Sequence, residues 1–534
     1  MKSRLSIRRS EMGVLACTIG ALLVATMATL TRWPMIYVDE PYFVDPAVNL
    51  AEGGHLWSDF AFAAKHDDAF HRSRVWPGNC PLYPATLAAW VRAVGLELFV
   101  IRTLNVIVFA AGVFLLTTCV LAFAAHNRLF VATALPVLMF SSAAMPMMYR
   151  TSRYDALCFF LCAQAIFALG MQSWRLGSCL LAVAGFFMPW AGLPSCLLLA
   201  AIGVVGFVIR PELRQGVVLL FGALAVGVLA FTTWLWWYDA LDAFREHARA
   251  VQGRSANNQL VWQSLLGQVM QSRSATLLLL ANVLLATAGV QRKDRDWRVS
   301  PAVAGVAVVT VLGLVQSLTS SGRYPWMLDG VLATACIAEL GSPVGLGCDR
   351  INTFARWVAS CAVITSAFML PAVTAVAGLE WHARDHSRVQ AFICQHIAAD
   401  DEVLTDYSAY FPCRQVTRSV VVDFGAGAGP PGAPVALDYD ADRVQALNVV
   451  VVRPERKQSM ADALPGSWAV VATLPAIETD YLRPKTFMDS LPLRCLGLAY
   501  PPSLSVDLTQ RVAHDRPYSL VIMRRTPDAR RPTR

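Results

Sequence analysis

"MGVLACTIGALLVATMATLTRWPMIYVDEPYFVDPAVNLAEGG", residues 12–54, decides how the chain is read. Its first half is an apolar run of about twenty residues, the length of a membrane-crossing helix. The basic segment "MKSRLSIRRS" precedes it. The run exceeds the apolar region of a secretory signal, and no A-x-A cleavage site follows, so an uncleaved first membrane helix is expected. Where the chain leaves that helix, Asp39 and Glu40 stand side by side among aromatics and prolines. Carboxylates at that place need a purpose.

Composition sets the frame. The 534 residues are 56% hydrophobic and only 15% charged, with a mean hydropathy of +0.47. A soluble globular protein carries roughly 25% charged residues, so this chain reads as a polytopic α-helical membrane protein with some water-soluble mass attached. The net charge of +8 does not indicate nucleic-acid binding, because the basic residues cluster between apolar segments, where membrane topology accounts for them. Most of the thirteen cysteines lie inside apolar segments and act there as small hydrophobes. Cys394, Cys413 and Cys495 in the polar C-terminal part allow no disulfide framework.

About eleven stretches approach spanning length, near 12–31, 101–125, 129–147, 154–172, 176–190, 192–209, 215–237, 275–290, 300–320, 326–340 and 354–379. The pair around "FFMPWAGLPSC" reads either as two segments or as one long kinked segment, because Pro189, Gly192 and Pro194 punctuate it. With the N-terminus inside, the inner loops become "HNR", "SWR", "RPELR", "QRKDRDWR" and "GCDRINTFAR", each with Lys or Arg as the positive-inside rule requires. The outside then receives 32–100, the "MYRTSR" turn, 238–273, "SGRYP" and everything after 380.

Residues 1–380 are thus expected to form a transmembrane domain and 381–534 a small extracytoplasmic α/β domain. In the latter, "EVLTDY", "SVVVDF", "NVVVVRP", "WAVVATL" and "YSLVIMRR" read as strands, and "SRVQAFICQHIAAD" as an amphipathic helix. "GAGAGPPGAP" (425–434) contains G-x-G-x-G, but Pro430 and Pro431 oppose the helix that a dinucleotide fingerprint needs, so it reads as a loop.

The outer segment 32–100 is longer than a connector requires. "PYFVDPAVNLAEGG" and "PLYPATLAAWVRAVG" read as helices lying along the membrane surface, with Trp57, Trp76 and Trp90 suited to the interface. An acidic D-E pair after the first membrane helix, an extended amphipathic outer loop and a "P-L-Y-P" segment leading into a helix resemble the C-type (GT-C) membrane glycosyltransferases. The likeness is to the bacterial branch related to protein O-mannosyltransferases and lipid A aminoarabinose transferases. "SRYDALCFF" (152–160) resembles that family's second acidic site, and "SGRYPWMLDG" (321–330) its Arg-Tyr turn before a late helix. The likeness covers roughly residues 12–380. The sequence departs from the pattern at "PGNCPLYP", where Asn79 and Cys80 stand in place of the Lys or other polar residue that many relatives carry.

The resemblance implies an inverting transferase that moves a sugar from a polyprenyl-phosphate donor to a lipid, glycan or protein acceptor. It would act at the outer face of the bacterial cytoplasmic (inner) membrane, in contact with membrane lipid. The chemistry agrees. Phosphate is a good leaving group, so the site needs a base for the acceptor proton and cations for the departing phosphate. Asp39 is the expected base, Glu40 positions it or the acceptor, and Asp155 is the second acid, orienting the acceptor or a metal. Arg323, Arg153 and Arg102 are the expected phosphate ligands, since Arg forms bidentate contacts with phosphate.

"KHDDAFHRSR" (65–74) gathers His66, Asp67, Asp68 and His71. These are metal-capable types, and His66, Asp68 and His71 would be ligands of a divalent metal; a solvated loop is the plainer reading. Asp329 lies one turn inside its helix, and His247, Arg249 and Arg254 lie on an outer loop able to act as a lid. The competing function is a transporter or flippase of a lipid-linked glycan. Its usual marks, repeat symmetry and polar residues at mid-membrane, are absent from the sequence, where polar residues gather at the outer surface. A non-catalytic scaffold would leave the acid-bearing loop without a role.

Overall fold

The structure is a computed structural model that describes residues 7–36, 39–58, 75, 80–124, 126–171, 174–246, 273–290, 300–319, 325–342, 350–422, 441–477 and 518–526. Arg323, the 65–74 segment with His66, Asp68 and His71, the glycine-rich stretch 425–434, and His247, Arg249 and Arg254 lie outside the described residues.

The first helix is α1 (Arg9–Ala28), followed by two helices of the long loop among the described residues, α2 (Asp39–Gly53) and α3 (Leu82–Val94). Next come α4 (Leu98–Phe123), α5 (Arg128–Ser141), the short α6 (Met145–Arg150) and α7 (Asp155–Met171). The chain continues through α8 (Trp174–Ala191), α9 (Leu193–Ile209), α10 (Arg214–Trp237), α11 (Arg273–Val290), α12 (Pro301–Thr319) and α13 (Pro325–Leu340). The apolar part closes with α14 (Arg350–Ser366) and α15 (Met369–Leu379). All eleven apolar stretches therefore fall on helix. Among the described residues four helical segments are long and apolar enough to cross a membrane unaided: Arg9–Ala28, Leu98–Phe123, Pro211–Trp237 and Arg350–Leu379; the remaining apolar helices are shorter. The open question at "FFMPWAGLPSC" resolves as two helices, with Gly192 as the N-cap of α9.

Close packing positions the helix ends. Gly112 of α4 faces α7 so tightly that a Cβ would sit 2.9 Å from the Phe159 ring and 3.2 Å from the Phe160 Cα. A small residue is needed for such an approach. It draws the first turns of α4 and α7 together, the turns that carry Arg102 and Asp155.

Polar contacts gather at two opposite ends of the helices. At one end Glu11 pairs with Arg128 at 3.1 Å, the His126 amide donates to the Gly341 carbonyl, and Ser300 donates to Glu339. At the other end, Arg32 pairs with Asp385 at 2.5 Å, and α2 meets the start of α4 through Glu40 and Arg102 and the turn before α7 through Asp39 and Arg153.

Beyond α15, the described residues form α16 (His386–His396) and a mixed five-stranded sheet with, among those residues, three short helices, α17 (Tyr410–Val416), α18 (Ala441–Ala446) and α19 (Lys457–Ala463). Its strands are β1 (Val403–Thr405), β2 (Val420–Val422), β3 (Val449–Val452), β4 (Trp468–Leu474) and β5 (Leu520–Arg525), one for each run expected from the sequence. They lie in the order β2-β1-β3-β5-β4. β1 pairs in parallel with β2 and β3, and β5 pairs antiparallel to β3 and β4. The β1, β2 and β3 side chains are all buried, as expected of parallel strands covered on both faces. Asp385 starts α16 by accepting the Ser387 amide, the usual N-cap bond.

Candidate active site

Glu40 organises the floor of the site. It is fully buried in the first turn of α2. Arg102 meets it fork to fork, Nε donating to Oε1 at 2.9 Å and Nη2 to Oε2 at 2.6 Å. The Ser152 amide also donates to Oε1, at 2.9 Å. Arg102 gives its remaining hydrogens to the carbonyls of Leu30, Pro34 and Met35. One buried ion pair thereby ties the exit of α1, the start of α2, the first turn of α4 and the turn before α7. Such a pair survives burial only when its lone pairs and hydrogens are met. Arg102 is wholly buried and occupied in this way, which makes it a holder of Glu40 and of the chain after α1 rather than an open phosphate ligand.

Asp39 precedes Glu40 and points elsewhere. Its Oδ2 accepts from Arg153 Nη1 at 3.1 Å, while Arg153 Nε donates to Asp155 Oδ2 at 2.9 Å. Trp326 Nε1 donates to the other oxygen of Asp155 at 3.0 Å. The Arg153 turn is fixed by Asn105, whose Nδ2 donates to the carbonyls of Thr151 and Arg153 at 2.6 Å each. Asp39 remains 35% exposed, against 3% for Asp155. Asp39 is therefore the acid that solvent reaches, and Asp155 is the inner acid.

Asp39, Glu40, Asp155, Arg153 and Arg102 thus converge, from α2, α4 and the start of α7. Asp329 is buried one turn into α13, accepting from Ser274 Oγ at 2.6 Å and the Ala144 amide at 3.1 Å, which makes it a tie between helices. Among the described residues no group of three His, Cys, Asp or Glu could hold a metal. Cys80 is buried beside Phe231, Leu235 and Ala240, and burial pushes its thiol up to about 12, against a weaker lowering by the Leu193 backbone. It packs as a neutral apolar group.

Trp326, Asn105 and Tyr83 belong to the site but were not singled out from the sequence. Tyr83, from "PLYP", is buried next to Asn105, with Glu40, Asp155 and Arg153 around it; burial raises its pKa and keeps the phenol neutral. One signal existed: Asn105 follows Arg102 by three residues, on the same helix face.

The sheet-bearing region reaches this floor through His386, which is buried against Tyr518, ring centroids 5.7 Å apart. Burial, followed by the positive charge of Arg102, depresses its pKa from 6.5 to about 3, against a Ser408 backbone bond and Asp385, which raise it. The unfolded chain therefore binds a proton that the folded chain refuses. Stability is full above the unfolded value and falls as pH drops from 6.5 toward 3, by at most about 1.4 kcal/mol per pH unit. Burial works against the charge of Asp385 and Asp401, but Arg32 and Arg524 hold both carboxyls below their usual value, so their loss comes only below about pH 4. His386→Gln is expected to flatten the pH dependence of thermal unfolding between 4 and 6.5; an unchanged slope contradicts the assignment.

No protein-family model matches the sequence, and neither does any curated protein. Solved structures do match. The crystal structure of ArnT from Cupriavidus metallidurans bound to undecaprenyl phosphate superposes with a TM-score of 0.53, covering 86% of this chain and 96% of that one at 14% identity. The fold is that of the C-type membrane glycosyltransferases. The oligosaccharyltransferase of Archaeoglobus fulgidus, tethered to an acceptor peptide, also matches, over 86% of this chain and 71% of that one, at 11% identity and a TM-score of 0.43. That second score adds no weight to the assignment. By length and composition, four helical segments among the described residues could cross a membrane.

Proposed function

We propose that the chain transfers a sugar from a polyprenyl-phosphate donor to a hydroxyl-bearing or amine-bearing acceptor. The observation that carries this reading is the pair of acids, one accessible and one buried, bridged by Arg153 at the mouth of the helices. Undecaprenyl phosphate bound to ArnT supports the choice of donor class.

Asp39 takes the acceptor proton. The acceptor heteroatom then forms a bond to the anomeric carbon as the bond from that carbon to the phosphate oxygen breaks. The departing electron pair stays on the phosphate, and the configuration inverts. No acid is needed for a leaving group of this kind. Asp155 orients the acceptor and fixes Arg153, and Arg153 aims both carboxylates while offering charge to the phosphate. Arg323, three residues before Trp326, supplies further charge. Residues 1–380 act as the transferase domain, and 381–534 stand on the outer side of the inner membrane with the loop 32–100.

Arg153→Lys tests the bridge. An ammonium cannot serve two carboxylates as a planar fork does, so kcat is expected to drop about 10- to 100-fold with donor KM changed less. The check is steady-state transfer from a radiolabelled undecaprenyl-phosphate sugar; equal kcat for the variant and the parent would remove Arg153 from the mechanism.

A further inference from the structure

Helix α2 carries Asp39 at its start and is held at its first turn, along one polar face, and at its C-terminal end, where Arg92 of α3 donates to the Leu50 and Ala51 carbonyls at 2.8 Å each. Its first turn is fixed by Glu40 on Arg102. Asp45, Asn49 and Glu52 recur at i, i+4 and i+7 and so share one helix face, and this face is gripped by the sheet-bearing C-terminal region. Tyr410 Oη donates to Asp45 Oδ1 at 2.8 Å, and Ser58 Oγ donates to Oδ2 at 2.7 Å. Arg414 Nη2 donates to Asn49 Oδ1 at 2.9 Å and to Glu52 Oε2 at 3.0 Å. Tyr410 and Arg414 are themselves i and i+4 on α17, which follows β1. Asp45, Tyr410 and Arg414 are all buried.

Two physical points give this contact more weight than ordinary packing. A carboxylate is buried at a cost of several kcal/mol unless its oxygens are met; here the hydroxyl that meets one oxygen comes from 365 residues away. In addition, Pro46 sits inside α2 and removes one of its internal hydrogen bonds. The helix is not stiff on its own between Asp39 and the gripped face, roughly 9 Å apart along the axis.

We infer that the C-terminal region is a positioning element for the transfer reaction, Tyr410 and Arg414 setting the rotation of α2 and hence the aim of Asp39 at Arg153 and the acceptor. This rests on the reading of Asp39 as base. It assigns Tyr410 and Arg414 a part in the rate although neither touches substrate.

The test uses the full-length protein in nanodiscs with a Tyr410→Phe/Arg414→Gln double variant, and Glu52→Gln as a milder variant that only weakens the Arg414 contact. Two readouts are taken. Amide exchange over 42–53 is expected to speed by about tenfold or more while β1 and β3 keep their protection. Transfer from an undecaprenyl-phosphate sugar is expected to lose about 10- to 100-fold in kcat, with donor KM nearly unchanged. Glu52→Gln moves both readouts the same way, by less. Unchanged exchange in α2 overturns the clamp, and faster exchange with unchanged kcat overturns its effect on Asp39. Should the parent protein transfer no sugar, the transfer reading fails on its own, and the exchange measurement alone decides whether the clamp exists.

Discussion

Asp39→Asn is expected to lower the rate of sugar transfer by about a thousandfold or more, near the upper part of what a positioned general base contributes, while donor binding persists. The amide keeps the shape of the carboxylate and can still accept from Arg153, so the Arg153–Asp155 bridge stays in place. What is lost is the capacity to take the acceptor proton. Glu40 cannot substitute, because both its oxygens are committed to Arg102 and the Ser152 amide in a buried setting. Asp155 is held between Arg153 and Trp326 and is nearly closed to solvent. The measurement is single-turnover transfer at saturating acceptor, paired with binding of the donor by equilibrium titration. A variant that transfers at the parental rate removes Asp39 as base, and one that loses donor binding instead places Asp39 on the donor.

The second large effect is structural. Arg102→Met is expected to cost about 3–5 kcal/mol, because removing one member of a buried ion pair leaves the other uncompensated. The carbonyls of Leu30, Pro34 and Met35 lose their donor at the same time. The thermal midpoint in detergent should fall sharply, and transfer with it, since Asp39 is adjacent to the unanchored Glu40. The double variant Glu40→Gln/Arg102→Met should recover part of the loss. Its buried negative charge is gone, although the carbonyls stay unmet, so a coupling of about 1–3 kcal/mol is expected from the double-mutant cycle. Strict additivity would mean that the two side chains do not act as a pair.

Much of the fold was legible because one-dimensional patterns report it. Long apolar runs mark helices, and every apolar stretch lies on one. Short β-branched runs mark the strands, down to "NVVVVRP", which contains β3. The break at Gly192 was visible as Pro and Gly punctuation but left a choice that only packing resolves. Which helices cross a bilayer is less legible, since several are shorter than the four of full spanning length and composition.

The site was legible only where residues are adjacent in sequence. Asp39, Glu40, Arg153 and Asp155 stood out as charges at helix mouths. Arg102 was read the same way, but a guanidinium at a helix mouth can face the cavity or the chain beside it, and here it faces Glu40 and three carbonyls. Trp326 and Tyr410 could not be found by pattern, because their partners lie 171 and 365 residues away. Nothing in the local sequence of either says which carboxylate it will meet.

The most direct test of the central claim is donor cleavage by the purified protein in nanodiscs, presented with a panel of radiolabelled undecaprenyl-phosphate sugars and followed by the appearance of free undecaprenyl phosphate. Acceptor-dependent release from at least one donor is the predicted result. Movement of intact lipid-linked sugar across proteoliposomes, with no cleavage of any donor, would contradict it and would make the chain a transporter.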